Sequence, residues 1–313
     1  MRLIGLADDF SHWLLSEDNK PESIRNHMFH FKEFCSFTEA CGVAPQNLRV
    51  DVARDYLVWL TDRPNRHTGK PLSSATRLKH YGTLRLLSNF LMERKLLAAS
   101  LLEGIKRPSR KKTVIQGFSV AQLQAIIDAI RNVRSAPEYK DRMSLLVYTL
   151  ASTGLRISEA LNLRGHDMDH NKRIMIVLGK GNKEREVPLS RDLSMLVLQY
   201  TRKYDIDREE FIFASRYGRP LQHSSVRDAL RKAGKSLGTH LDIDQMRVSP
   251  HTLRHTFARL WVIKGGNTIA LSRIMGHSST QMTSEYVRLW GVDLNTSYDL
   301  CDPCGDISVP KFD

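Results

Sequence analysis

Seven residues, KRPSRKK at positions 106–112, constrain this chain more than any other stretch. They hold five cations and a proline. Like charges side by side repel, and proline breaks a helix, so the stretch cannot be packed into a core. A fold must therefore form on either side of it. The expected organisation is a helical unit over 1–105, a basic linker over 106–113, a second unit over 114–290 and a tail over 291–313. Both units fall in the ordinary domain range. With 41% hydrophobic residues, a core can form. No apolar run approaches a membrane span. The opening MRLIGLADDF reaches acidic residues too early for a signal peptide. Four cysteines in 313 residues do not suggest a disulfide scaffold. The expectation is a soluble cytoplasmic protein with no membrane association.

Apolar spacing predicts mainly α structure with one small β-sheet, an α+β arrangement. In the first unit, PESIRNHMFHFKEFCSFTEACG carries Ile24, Met28, Phe31 and Cys35 at helical spacing, with Gly42 as the stop. VDVARDYLVWL is a second helix, and SSATRLKHYGTLRLLSNFLMERKLL a third, capped by Ser73 or Ser74. In the second unit, Ser119 and Gln122 form a capping-box pattern, with Phe118 and Leu123 placed as a staple. Helices are expected to about residue 164. RIMIVLGKGNKEREVPL then alternates as strands do, and predicts a hairpin of Arg173–Val177 and Arg185–Leu189 around GKGNK. Helices follow near 192–203 and 224–237. SPHTLRHTFARLWVIK is another, with Ser249 as cap and Pro250 in the first position. TIALSRIM ends at Gly276, and SSTQMTSEYVRL begins one more helix.

The net charge is +13, with a pI near 9.7. Residues 61–112 carry 13 basic and 3 acidic side chains, whereas 291–313 carry five Asp and one Lys. Concentrated positive charge favours a polyanionic partner, because neutralising phosphates releases counterions. Arg77, Lys79, Lys106, Arg107, Arg110, Lys111, Lys112 and Lys183 are the candidate DNA contacts.

Four pieces of the second unit carry chemistry: TGLRISEALNL with Arg156, the hairpin tip with Lys180, HTLRH with His251 and Arg254, and MGHSSTQMTSEYV with His277 and Tyr286. His251 and Arg254 stand one helical turn apart, so they share a face. Arginine forks pair with the non-bridging oxygens of a phosphodiester under attack. A lysine can protonate a leaving 5′ oxygen. A tyrosine hydroxyl, with a usual pKa near ~10, needs a base or a positive field to attack. The set is complete for covalent phosphoryl transfer to tyrosine and contains no carboxylate cluster, so no metal or other cofactor is expected.

These segments, in this order and spacing, resemble the tyrosine recombinases of the lambda-integrase type, most of all the bacterial Xer-type enzymes. The signature Arg…Lys…His-x-x-Arg…His…Tyr is complete as Arg156, Lys180, His251, Arg254, His277 and Tyr286. The likeness is close over 114–290 and looser in the first unit, which resembles a helical core-binding domain. It implies a site-specific recombinase or integrase that joins strands through a 3′-phosphotyrosine and a Holliday junction. It implies that Arg156 and Arg254 hold the phosphate and that Lys180 is the general acid. His251 would assist proton transfer, His277 bind phosphate and Tyr286 attack. It further implies a C-shaped two-domain clamp on double-stranded DNA and a homo-tetramer on two sites, with a related recombinase or a DNA-bending protein as a further partner. Integration or excision of a mobile element and resolution of replicon or chromosome dimers would all use this chemistry. A type IB topoisomerase-like relaxing enzyme is an alternative, as is a non-catalytic DNA-binding regulator of the same fold.

Two motifs are set aside. HDMDH at 166–170 suggests metal, but its place between a helix and a strand favours a turn with aspartate capping. CDPC at 301–304 is half a zinc site by spacing, without a second pair nearby.

Overall fold

The computed structural model describes residues 2–65, 69–109, 117–179 and 183–276. The chain divides into two compact units, Met1–Thr113 and Val114–Asp313.

The first unit is helical: α1 (Ala7–Ser16), α2 (Pro21–Ala40), α3 (Val50–Asp62) and α4 (Ser74–Glu93). Phe10, Leu14, Phe31, Phe34, Tyr56, Leu60, Leu84, Leu87 and Phe90 are buried together. Each recurs with its helix period, which is why four amphipathic helices can close around one core. Ser73 caps α4, its side chain accepting from Thr76 N. The sequence extends this helix to Leu97, but it stops at Glu93, with Lys95 at φ 57° in the left-handed region. α1 has no counterpart among the helices expected from sequence.

The second unit begins with α5 (Val120–Arg131), α6 (Pro137–Thr153) and the short α7 (Ile157–Leu161). The Ser119–Gln122 capping box is formed. Three antiparallel strands follow in the order β1 (Met168–Asp169), β2 (Ile174–Leu178), β3 (Glu184–Pro188). β2 and β3 make the expected hairpin, with Val177 opposite Arg185. β1 was not foreseen. It occupies the middle of HDMDH, where Asp167 accepts from Arg164 N (2.8 Å) and Asp169 from Lys172 N (2.9 Å). The remaining helices are α8 (Arg191–Lys203), α9 (His223–Leu237), α10 (Pro250–Ile263) and α11 (Thr268–Met275). Ser249 caps α10, with Pro250 in the first position, and α11 ends at Gly276 in the left-handed conformation.

α6 is the central helix. It buries Met143, Leu146, Val147 and Leu150, and α10 packs against it. The unit's first described residues are fastened to α10. Phe118 N donates to Thr256 Oγ1 (2.9 Å), Arg259 Nη1 donates to Phe118 O (3.1 Å), and a methyl group at Gly117 would lie 2.9 Å from Thr256 Cα. Among the described residues, no helix is long and apolar enough to cross a membrane, and no group of three His, Cys, Asp or Glu is arranged to hold a metal ion.

Candidate active site

The site is built where α6 ends. Gly154 closes α6 at φ 64°, and a Cβ there would meet Phe257 Cδ1 of α10 at 2.3 Å, so only glycine fits. That turn places Arg156 at the start of α7. Its backbone N–H donates to Glu159 Oε2 and its Nη1 to Glu159 Oε1, both at 2.8 Å. Nη2 reaches Gly276 O at 3.1 Å. The Arg156 side chain is 37% exposed. It lines a cleft of about 600 Å³ with Leu178, Gly179 and Glu184 of the hairpin stem.

Arg254, on α10, is buried. Its Nη1 donates to Gly154 O and its Nη2 to Met275 O (2.7 Å). One guanidinium thus ties the turn before Arg156 to the end of α11. Arg185, on β3, completes the arrangement. It grips Glu159 through two nitrogens, Nη1 to Oε1 at 3.0 Å and Nη2 to Oε2 at 2.8 Å, and its Nε donates to Ile274 O at 2.8 Å.

The result is a helix end held by three arginines. Ile274, Met275 and Gly276 each offer a carbonyl, and Arg185, Arg254 and Arg156 each take one. The last carbonyls of a helix lack internal partners and carry the negative end of its dipole, which explains the attraction. Glu159 balances two of the cations. Burial pushes its carboxyl pKa up, but hydrogen bonds from Arg185 and Arg156 outweigh this and leave it below its ordinary value. It is a buried carboxylate that stays charged because it is paired.

His251 lies in the first turn of α10, on the face that also carries Arg254. Its Nε2 is 3.0 Å from His255 Nε2, a contact that requires one ring nitrogen to be unprotonated. Partial burial, then the charges of Arg254 and Arg247, hold its pKa below the usual imidazole range. A neutral imidazole can accept a proton.

Of the residues expected from sequence, the structure brings Arg156 and Arg254 to one helix end and puts His251 a turn from Arg254. Lys180, His277 and Tyr286 lie outside the described residues, as do Arg110, Lys111 and Lys112. Lys180 follows Gly179 in the hairpin stem, and His277 follows Gly276. Lys183 is exposed just before β3, and Lys106 and Arg107 are exposed near the end of the first unit. On α4, Lys79 is exposed, while Arg77 is half-buried with its Nε lacking a hydrogen-bond partner among the described residues.

Two groups were missed. Glu159 and Arg185 look like ordinary surface charges in sequence, and only the fold joins them. The other is a row of cations on α9. Arg227, Arg231 and Lys235 recur every four residues on the exposed face, opposite the buried Val226, Leu230 and Ala233. They line a cleft of about 680 Å³ with Arg247 and Ser249, just before His251. The spacing was visible, but without the helix it read as scattered charge.

The phage integrase family model matches residues 117–290, more than half of the 313. Tyrosine recombinase XerC of Myxococcus xanthus is 29% identical over 299 residues, covering 92% of this chain and 94% of its own. Tyrosine recombinase XerD of Corynebacterium glutamicum is 25% identical over 284 residues, covering 89% and 91%. Among solved structures, the XerH site-specific recombinase bound to palindromic difH substrate superposes with a TM-score of 0.71 at 18% identity, over 89% of this chain and 80% of that one. The Tn1549 transposon integrase with circular-intermediate DNA gives 0.69 at 17% identity, over 95% and 98%. At such identities the structures speak for the fold, while the family match covers most of the second unit. The chain belongs to the phage integrase family and is a tyrosine recombinase.

Proposed function

We propose that this site-specific recombinase breaks and rejoins DNA through Tyr286. The Tyr286 oxygen bonds to the scissile phosphorus while the bond from phosphorus to the 5′ oxygen breaks. Lys180 supplies the proton to that oxygen, and neutral His251 takes the tyrosine proton. Arg156 and Arg254 stabilise the charge that builds on the phosphate, aided by His277. The 3′-phosphotyrosine conserves the bond energy, so a 5′ hydroxyl of a second strand reverses it without a nucleotide cofactor. Four protomers on two DNA sites would exchange strands in turn, to move a mobile element or resolve a dimer.

The observation that carries the reading is the clamped end of α11. Two motif arginines, 98 residues apart in sequence, converge on the two residues before His277. The α9 row and Arg247 extend the DNA-binding candidates beyond Arg77, Lys79, Lys106, Arg107, Arg110, Lys111, Lys112 and Lys183. Nicked suicide duplexes carrying candidate sites test the proposal in EDTA. Wild type should form a covalent adduct that maps to Tyr286, and Tyr286→Phe should bind the same duplex and form none. Cleavage by the variant would remove Tyr286 as the nucleophile.

A further inference from the structure

Arg185 belongs to none of the six signature positions, yet its guanidinium sits between the carboxylate that holds Arg156 and the end of α11. It pairs with both oxygens of Glu159, the carboxylate that also holds Arg156. It donates to Ile274 O in the last turn of α11. It also packs against two glycines. A Cβ at Gly179 would come within 3.3 Å of Arg185 Nη1, and one at Gly276 within 3.0 Å of its Cζ. Gly179 immediately precedes Lys180, and Gly276 immediately precedes His277. Across the hairpin stem, Gly179 N donates to Lys183 O at 2.8 Å.

We propose that Arg185 is the positioning residue that sets the general-acid hairpin against the phosphate-binding arginines. The assignment rests on the recombinase reading above. No other residue type meets the requirement. One planar fork faces a carboxylate with two nitrogens while its Nε turns to a carbonyl. A lysine keeps the charge but cannot satisfy both oxygens and Ile274 O in that geometry. The two glycines fit the same account, since a side chain at either would press on the guanidinium. Arg185 need not touch DNA. Through Gly179 it fixes the base of the segment that carries Lys180, and through Glu159 the orientation of Arg156.

The test compares wild type, Arg185→Lys, Arg185→Gln and Lys180→Ala in single-turnover cleavage of a suicide duplex. Each is run with the natural 5′ oxygen and with a 5′-bridging sulfur, a leaving group that needs no protonation. Melting temperature and affinity for the duplex report folding. We expect Arg185→Lys to keep both and to cleave the oxygen substrate about 100-fold more slowly, the scale of a misplacement near 1 Å. The deficit should shrink at least tenfold on the sulfur substrate, as for Lys180→Ala. Arg185→Gln, which loses the charge as well, should be slower still. Wild-type cleavage by Arg185→Lys overturns the assignment, as does an equal deficit on both substrates or a loss of DNA affinity in step with rate. If wild type itself forms no adduct on a duplex it binds, the recombinase reading falls and this assignment with it.

Discussion

His251 shows how one side chain's chemistry is set by what surrounds it. Burial and the cations Arg254 and Arg247 hold its pKa below the usual value, and the His255 ring abuts it. It therefore stays neutral as pH falls past about 6.5. If it is the proton acceptor for Tyr286, cleavage should persist to that pH and fail only below it. Arg247→Gln removes one of the cations, so the acid limb should move to higher pH. Single-turnover adduct formation between about pH 5 and 8 checks this, and an unmoved limb would take His251 out of proton transfer. At this scale the motif arginines and histidine were legible because each stands in a distinctive local pattern. Glu159 and Arg185 were not. Their partners lie 26 residues apart, and Ile274 lies 89 beyond Arg185. No local pattern encodes such a pairing.

Among the elements, those with chemical punctuation were read well. Ser73, Ser119 and Ser249 each cap the helix they precede, and Gly276 ends α11. Those without it were missed or misjudged. α1 follows Leu6, an N-cap with no side-chain cap hydrogen bond, so its buried Phe10 and Leu14 had no start signal to go with them. The left-handed residue ending α4 is Lys95, where glycine would have announced it. β1 has two residues, too few for any period to show. In the first unit, α2, α3 and α4 share a buried polar chain. Tyr56 OH lies 2.8 Å from His80 Nδ1, and the His30 and His80 rings are 4.2 Å apart. Burial drives the pKa of His30 down to about 4 and that of His80 to about 3. In the unfolded chain both titrate near ~6.5, so below that pH the unfolded state binds more protons. The stability they support is complete above about pH 6.5 and is lost as pH falls toward their folded values. Thermal melts from about pH 7 to 4.5 should show the melting temperature dropping, and His30→Gln should flatten the slope. A pH-independent melt would contradict the buried neutral pair.

For the whole molecule, the excess of cations, 47 against 34 acids, bears on the strength of DNA binding more than on its selectivity. Each cation that meets a phosphate steepens the salt dependence of affinity by about 0.9 in the log–log slope. If Arg227 and Arg231 of α9 do so, changing both to Ala should weaken binding and flatten that slope by about 1.8. A titration of duplex affinity from about 50 to 200 mM salt measures it, and an unchanged slope would remove α9 from the phosphate contacts. The two units meet at Thr113 and Val114, just past the charged, proline-bearing stretch 106–112. Where the second unit takes hold of its chain was not legible in the sequence. Gly117 lies flush on the backbone of α10, and Phe118 bonds to Thr256 and Arg259 on that helix. This bears on how such enzymes can be recombined with one another. A hybrid that takes its N-terminal unit from a relative should be spliced within 106–113. A junction moved past Gly117 would splice foreign residues onto α10, and that helix would have to travel with the graft.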